Sequence, residues 1–136
     1  MLEPTKEWAA SVNGEIFHIM SSKIKKAAIN EAVNGNWFDE KELYDGIRKC
    51  IWIGRVYKFK PVLDADDMIE YIQGKEADEV LDIAEWHDED YLENIPADVI
   101  NDLEDRLTKV FREWEEENNL QSNFFVVMNP EKIYLD

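Results

Sequence analysis

The clearest structural signal in this chain is PADVINDLEDRLTKVFREWEEE, residues 96–117. Proline suits the first turn of a helix, because its φ angle is already helical and its missing N–H needs no partner there. Apolar residues then recur every three or four positions, which is the period of an amphipathic helix. We therefore predict one long helix that ends at Asn118-Asn119. Its apolar face contains Val99, Leu103, Leu107, Val110, Phe111 and Trp114.

One β-strand is predicted before this helix in the sequence, and another is predicted after it. Residues 124–128 form a short apolar run that Asn129-Pro130 would stop, and residues 133–135 could add an edge. Residues 51–60 alternate in the manner of a strand, which Pro61 would end. One face of this second strand holds Ile51, Ile53, Tyr57 and Phe59, and the other holds Lys58 and Lys60.

The N-terminal part of the chain predicts a hairpin and two helices. Asn13-Gly14 separates two β-rich runs, and its tolerance of positive φ angles suits a type I′ turn. Ser22 can cap a helix over residues 23–34, which Gly35 would end. Residues 39–47 carry a weaker capping signal and predict a second, short helix. The apolar stripe of the first helix contains Ile24, Ala28 and Ala32.

A further helix is predicted to begin after Asp64. Asp64, Asp66 and Asp67 stand where a helix terminus favours acidic side chains, both as caps and through the macrodipole. The apolar stripe continues to Ala84, although Gly74 could divide the helix in two. All these elements predict an α+β fold, in which amphipathic helices pack on one face of a small antiparallel sheet. The length of 136 residues and the apolar content of 45% suit a single domain, 1–136.

The acidic residues are segregated along the chain. Residues 1–62 carry ten Lys or Arg and eight Asp or Glu, whereas residues 63–136 carry five and twenty-three, so the net charges are +2 and −18. Residues 64–105 alone hold seventeen carboxylates and one cation, Lys75. Ordinary surface solubility does not require this density. It predicts a basic partner, and it disfavours direct contact with nucleic acid or with anionic membranes.

No catalytic signature occurs in the sequence. A glycine-rich phosphate loop, a CxxC pair, HExxH and GxSxG are all absent. Cys50 and His18 are expected to be structural, because neither has a partner in the sequence that suggests a nucleophilic site. We therefore expect no enzyme activity and no cofactor. The single cysteine, the lack of a signal-peptide pattern and the lack of a run of about 18 apolar residues predict a cytoplasmic protein.

One segment could hold a hard cation such as Mg²⁺ or Ca²⁺. If the helix continued, Asp82 and Glu85 would share a face, and the acids beyond them could fold back. The segment lacks the alternating ligands and central glycine of a calcium loop, and one His is a poor basis for a transition-metal site. The alternatives are therefore a solvated acidic helix end or a small divalent-metal-dependent enzyme. The candidate ligands are Asp82, Glu85, His87, Asp88, Glu89 and Asp90.

Three groups of residues occur in order through about the last 85 residues: WIGRV (52–56) with FKP (59–61) and Asp64, LEDRL (103–107) with Val110, Phe111 and Trp114, and NFF (123–125). This ordered set resembles small, acidic, mostly uncharacterised proteins encoded by phages and prophages of Gram-positive bacteria. The resemblance implies an accessory phage role that acts on a host factor. It implies no catalytic residues, and the N-terminal hairpin and helices depart from its pattern.

The acids between residues 64 and 90 are the best candidate for a partner-binding surface. Twelve carboxylates there face a single Lys. The later helix is partly neutralised instead, because Asp102 can pair with Arg106, and two further pairs are possible at the same spacing, Asp105 with Lys109 and Arg112 with Glu116. The predicted partner-binding residues are Asp66, Asp67, Glu70, Asp78, Asp82 and Glu85.

The charge spacing makes imitation of DNA physically possible. If residues 64–105 were mainly helical, they would extend for about 63 Å and carry one acid per about 3.7 Å. One strand of a duplex carries a charge per about 3.4 Å, and both strands together carry one per about 1.7 Å. Two helices side by side would approach the duplex value. The predicted function is therefore a non-enzymatic phage accessory protein that binds a basic protein surface, with inhibition of a nucleic-acid-binding host protein as its specific form.

Three alternatives stay open at this stage. The acids could serve solubility alone, or the protein could be a structural or assembly component of the phage. Phe111 and Trp114 could contact a partner rather than a core. Basic residues could also neutralise the acidic surface within the fold or across a homodimer. The lysines in question are Lys23, Lys25, Lys26, Lys58 and Lys60.

Overall fold

The computed structural model describes residues 1–135. Within them the chain forms a five-stranded antiparallel sheet, three α-helices and one short 3₁₀ helix, which confirms the predicted α+β class. The elements in chain order are β1 (Leu2–Ser11), β2 (His18–Ile19), α1 (Lys25–Asn34), the 3₁₀ helix (Glu40–Leu43), β3 (Tyr44–Asp45), β4 (Arg48–Phe59), α2 (Ala65–Leu81), α3 (Ala97–Glu117) and β5 (Phe125–Tyr134).

The chain divides into two compact units. Residues 1–60 and 122–136 form the first, which we call the sheet unit, and residues 61–121 form the second, which we call the acidic helical unit. The sheet unit carries eleven basic and ten acidic residues, a net charge of +1, whereas the helical unit carries four and twenty-one, a net charge of −17. The charge boundary in the sequence therefore coincides with a structural boundary near residue 61. Folding of the whole chain as a single domain stays a prediction.

Strand β4 lies at the centre of the sheet. It pairs with β1, with β3 and with β5, and all of these pairs are antiparallel. Short β2 extends the sheet beyond β1. Helix α1 packs on β1 and β4 through Ala28 and Ala32. The core of the sheet unit is the cluster of Ala10, Met20, Ala28, Ala32, Leu43, Ile51 and Ile53.

Strand β5 does not stop at Asn129-Pro130, as the sequence predicts, but continues to Tyr134 as one strand. The register against β4 shifts between the pairs Ile53–Glu131 and Arg55–Met128, so β5 has an extra residue there, a β-bulge. Asn129 supports the bulge by adopting a φ angle of 49°. The proline that would end a regular strand is thus accommodated where the pairing is already interrupted.

The burial of β4 also departs from the predicted alternation. Ile51 and Ile53 lie in the core as predicted, but beyond the shift Val56 is buried and Phe59 is exposed. The predicted apolar face is therefore correct only for the first half of the strand. Val56 lies on the opposite face of the strand from Ile51 and Ile53, so β4 buries residues on both of its faces.

The N-terminal hairpin is confirmed, but its turn is not type I′. The last pair before the turn joins Ala10 to His18, so the connection is longer than two residues. Of the two central residues, only Gly14 has a positive φ angle. The Oδ1 of Asn13 instead accepts hydrogen bonds from the N–H groups of Glu15 and Ile16 at 2.8 and 2.9 Å. An asparagine side chain in this arrangement shapes a wider loop.

The start of α1 is fixed by a carboxylate rather than by the predicted Ser22 cap. The helix begins at Lys25 and has no side-chain cap at Ile24, which is exposed rather than in the stripe. The carboxylate of Glu31 accepts from the N–H groups of Ser21 and Ser22 and from the Ser21 hydroxyl, at 2.6 to 3.1 Å. Tertiary hydrogen bonding from within the helix therefore orders the chain that enters it.

The prediction of a second short helix over residues 39–47 is wrong beyond Leu43. A single 3₁₀ turn ends there, and β3 and β4 follow as a tight hairpin in which Asp45 pairs with Arg48. Gly46 takes a φ angle of 66° at the first central position of the two-residue turn, as a type II′ turn requires. Ile47 occupies the second position and is 96% exposed.

The acidic helical unit contains α2 and α3, which pack against each other. Asp64 caps α2, since its Oδ1 accepts from the N–H groups of Asp66 and Asp67. Gly74 lies within an unbroken α2. The long helix α3 is confirmed from Ala97 to Glu117. Across residues 61–121, all of which the structure describes, Ala65 is the only fully buried residue, so this unit has a thin core.

Candidate functional site

Four of the six predicted partner-binding residues share one face of α2. Asp66, Asp67, Glu70 and Asp78 are all exposed, and at about 100° per residue they fall within an arc of about 120°. Most of the less exposed residues of this helix, including Met68 and Ile69, lie outside that arc, and Ala77 lies within it. The structure therefore brings these four carboxylates together on the outward face of the helix.

Asp82 and Glu85 do not extend this helical face, as the sequence predicts. Helix α2 ends at Leu81, and the carbonyl of Val80 accepts from the N–H groups of Ile83 and Ala84 at 3.0 and 2.7 Å, which closes the last turn. Both acids are exposed, but Glu85 lies in an irregular segment beyond the helix. The sequence does not predict that α2 ends at Leu81. The apolar period continues to Ala84, and no glycine or proline follows Leu81 directly to indicate a helix end.

The predicted charge spacing also changes, because residues 82–96 are not helical. Helices α2 and α3 have 17 and 21 residues, so they extend for about 25 and about 31 Å. They carry fourteen acids and four cations, a net charge of −10. Side by side they present one net negative charge per about 3 Å, which is close to a single nucleic-acid strand and only about half the density of a duplex.

The candidate metal ligands are not assembled into a site. Among residues 1–135, no three His, Cys, Asp or Glu side chains are grouped so that they could hold a metal ion. His87 contacts Glu76 instead, with 3.0 Å between Nδ1 and Oε2, and the N–H of Asp88 donates to the other oxygen of Glu76 at 3.4 Å. The sequence gives no signal for this role of Glu76, since the partners are eleven residues apart and one lies in an irregular segment.

A second side chain of α2 holds the following segment in place. The Nε2 of Gln73 donates to the carbonyl oxygen of Tyr91 at 2.8 Å and lies 3.2 Å from Oε1 of Glu93. Leu92 and Asn94 adopt left-handed φ angles of 60° and 55°, which are uncommon outside glycine. Gln73 and Glu76 therefore hold residues 87–93 against α2.

This segment also lines part of an apolar groove between α2 and α3. The groove has a volume of about 540 Å³ and includes Tyr91, Leu92 and Ile95 in its wall. Asp102 and Arg106 lie at the groove as an ion pair, with 2.9 Å between Oδ2 and Nε. The sequence does not predict this groove, because the periodicity of each helix does not show how far apart the two helices lie. The helices contribute Met68, Ile69, Ile72, Ile100, Leu103 and Leu107.

The residues of the predicted apolar face of α3 differ in how exposed they are. Leu103 and Leu107 are partly buried, whereas Val99 and Val110 are 52% and 64% exposed. Trp114 is half exposed, and its ring lies 5.5 Å from that of Phe111. The stripe therefore is not a single buried surface, and much of it is accessible.

The predicted ion pairs are partly present on α3. The pair between Asp102 and Arg106 is confirmed. Lys109 lies 4.0 Å from Glu113, toward the end of the helix, and the Nε of Arg112 donates to the carbonyl of Pro61 at 2.8 Å. The cations of α3 are therefore occupied within the helical unit.

Three of the lysines that could neutralise the acidic surface are engaged in the sheet unit. Lys23 and Lys58 both approach Glu7, at 3.6 and 3.1 Å, and Lys25 lies 3.2 Å from Glu131. These contacts favour a surface whose charge is available to a partner over one that these lysines neutralise.

No α-helix within residues 1–135 combines the length and apolar character that crossing a membrane requires. Comparison of the chain with protein-family models, curated proteins and solved structures finds no match.

Proposed function

We propose that this protein is a cytoplasmic, non-enzymatic accessory protein that binds a basic surface of another protein through its acidic helical unit. The observation that carries this proposal is the partition of charge, −17 on residues 61–121 and +1 on the rest of the chain. The outward carboxylates of α2 give this charge a defined face. Lys75, the one cation of α2, lies 5.7 Å from the ring centroid of Tyr71.

The acidic face acts mainly on the rate of association. Exposed ion pairs contribute only about 0 to 1 kcal/mol each, so the four carboxylates of this face alone do not make a tight complex. A concentrated field instead steers a basic partner towards the surface and disfavours acidic partners. Tight binding then needs apolar contacts as well, which the accessible side chains of α3 can supply.

The specific form of the proposal is inhibition of a nucleic-acid-binding protein. The net charge spacing of about 3 Å along α2 and α3 resembles that of one strand, about 3.4 Å, more than that of a duplex. We therefore infer that the acidic helical unit occupies a groove that accepts a single strand or one edge of a duplex. The phage setting, with a host protein as the target, is supported by the resemblance in residues 52–125.

Capture from a host lysate tests this proposal with two charge-matched variants. The first removes three carboxylates from the outward face, Asp66→Asn, Glu70→Gln and Asp78→Asn. The control removes three exposed carboxylates of the sheet unit whose side chains form no hydrogen bond or ion pair within residues 1–135, Glu15→Gln, Asp39→Asn and Glu42→Gln. Both variants have a net charge of −13 instead of −16.

We expect the native protein and the sheet-unit control to retain the same nucleic-acid-binding protein, and the helical variant to lose most of it. A single-stranded oligonucleotide should compete for the captured protein at least as well as a duplex of equal length. Equal recovery with both variants would show that the acidic face is not the binding site. Recovery that does not respond to oligonucleotide would refute occupation of a nucleic-acid groove.

A further inference from the structure

We propose that the apolar groove between α2 and α3 is the docking site for an amphipathic, basic helix of the partner protein. Apolar side chains of that helix enter the groove, and its Lys and Arg side chains contact the carboxylates around it. This inference rests on the proposed function and specifies the chemistry of its partner. A helix in an apolar groove is a common mode of peptide recognition.

The groove is an accessible apolar surface rather than a closed core. Its volume of about 540 Å³ lies within the usual range of ligand pockets, about 300 to 1,000 Å³. Ile72 and Val99 line it on opposite helices and are 39% and 52% exposed. Burial of such side chains is favourable, so a complementary apolar surface would be stabilised there.

Part of the groove wall is hydrogen-bonded to α2 in the structure. Two side chains of α2 contact the segment that follows it. The Nε2 of Gln73 donates to the carbonyl oxygen of Tyr91 at 2.8 Å, and Oε2 of Glu76 lies 3.0 Å from Nδ1 of His87. This part of the wall therefore does not have to be ordered on binding. A site that is already ordered loses less conformational entropy when the partner docks.

Charge decides which occupant fits the groove. Carboxylates lie at the groove: Asp102 is one of its lining residues, and Asp98 directly precedes the lining residue Val99. A second copy of this unit would bring a further net charge of −17 against the first, and like charges disfavour that contact. A basic helix is attracted by the same field. A partner helix of about 17 residues would match the length of α2.

A designed peptide pair tests the docking site directly. The probe is a fluorescent peptide of about 17 residues, built from Leu, Lys and Ala, with its leucines on one helical face. The comparison peptide has the same composition, but its leucines are distributed around the helix. Binding is measured by fluorescence anisotropy at about 0.15 M salt. At this concentration, exposed charges that are more than about 8 Å apart are largely screened from each other.

Two valines of α3 provide a matched pair of protein variants. Val99 lines the groove and Val110 does not, yet both are exposed. We expect Val99→Asn to weaken binding of the amphipathic peptide about tenfold, because it places a polar amide in the apolar contact. Val110→Asn should leave binding within about twofold, as expected for a surface change outside the contact. Ile72→Gln tests the groove from α2, and circular dichroism checks that each variant keeps its helices.

The outcomes separate this inference from the proposed function. If both peptides bind equally well, or if the two valine variants behave alike, the groove is not the docking site. The acidic surface would still stand in that case, provided that the variant lacking Asp66, Glu70 and Asp78 carboxylates binds more weakly than its sheet-unit control. Equal peptide binding by those two charge variants would refute the acidic surface itself.

Discussion

Substitution of Gly54 by alanine should destabilise the sheet unit through one close contact. A Cβ at this position would lie 2.2 Å from Cγ1 of Val127 and 3.3 Å from Cα and Cβ of Pro130. Carbon atoms in good contact are about 3.5 to 4.0 Å apart, so Val127 would have to move by more than about 1 Å. Its side chain is β-branched and has few alternative rotamers, and Pro130 limits the backbone.

The expected loss follows from two opposing effects. Overpacking in a well-packed region typically costs about 1 to 3 kcal/mol, and two rigid neighbours place Gly54 at the upper end. Alanine recovers about 0.5 to 1 kcal/mol, because it loses less backbone entropy on folding than glycine does. We therefore expect Gly54→Ala to lower the free energy of unfolding by about 2 kcal/mol. At a typical urea dependence of about 1 to 3 kcal/mol per molar, the midpoint should fall by about 1 M.

Urea unfolding followed by circular dichroism measures this effect, and another glycine provides the control. A Cβ at Gly74, inside exposed α2, would meet no atom within 4 Å. Gly74→Ala should therefore stabilise the protein by about 0.5 to 1 kcal/mol. Val127→Ala removes the clashing methyl, so the double variant with Gly54→Ala should be more stable than the sum of the single effects implies. An unchanged midpoint for Gly54→Ala, or strictly additive effects, would refute the close contact as the reason for glycine here.

Two further substitutions test the ends of helices. Asp64→Ala removes the side-chain cap of α2 and should lower the free energy of unfolding by about 1 kcal/mol. Asp64→Asn can still cap the helix, so it should retain most of the native stability. Thermal unfolding of both variants measures the difference. The Ser21 hydroxyl, with the N–H groups of Ser21 and Ser22, holds the pKa of Glu31 below its ordinary value of 4.5. Because this pKa is lowered in the folded state, its stabilising effect is complete above about pH 4.5 and is lost as pH falls through the folded pKa. Glu31→Gln should therefore destabilise the protein at pH 7, and the difference from the native protein should shrink at pH 3; equal differences at both pH values would contradict the assignment.

The elements that sequence analysis predicts well are those whose signals are local. Helix α3 follows from a proline at its start and a long apolar period, and the cap of α2 follows from Asp64 and the acids behind it. The four outward carboxylates of α2 also follow from helical spacing once the helix itself is predicted. The end of α2 does not, because residues 82–84 continue the apolar period without a stop signal.

The features that sequence analysis misses depend on contacts between distant residues. The bulge opposite Gly54 depends on the pairing of β5 with β4. The sequence does not contain this pairing, so Asn129-Pro130 predicts a strand end there. Glu76 is one acid among many until the structure places it beside His87. The groove between α2 and α3 likewise depends on the distance between two helices, which neither periodic pattern contains.

The distribution of charge and burial argues against solubility as the sole purpose of the acids. The sheet unit buries a cluster of seven apolar residues and has a net charge of only +1. The helical unit fully buries Ala65 alone within residues 61–121, yet it carries −17. Self-repulsion destabilises a compact state, so this arrangement places the largest repulsion on the unit with the thinnest core. A basic partner that binds only the folded unit would reduce the repulsion and add stability by mass action. Binding accounts for acids and exposed apolar side chains on the same helices, whereas solubility accounts only for the acids.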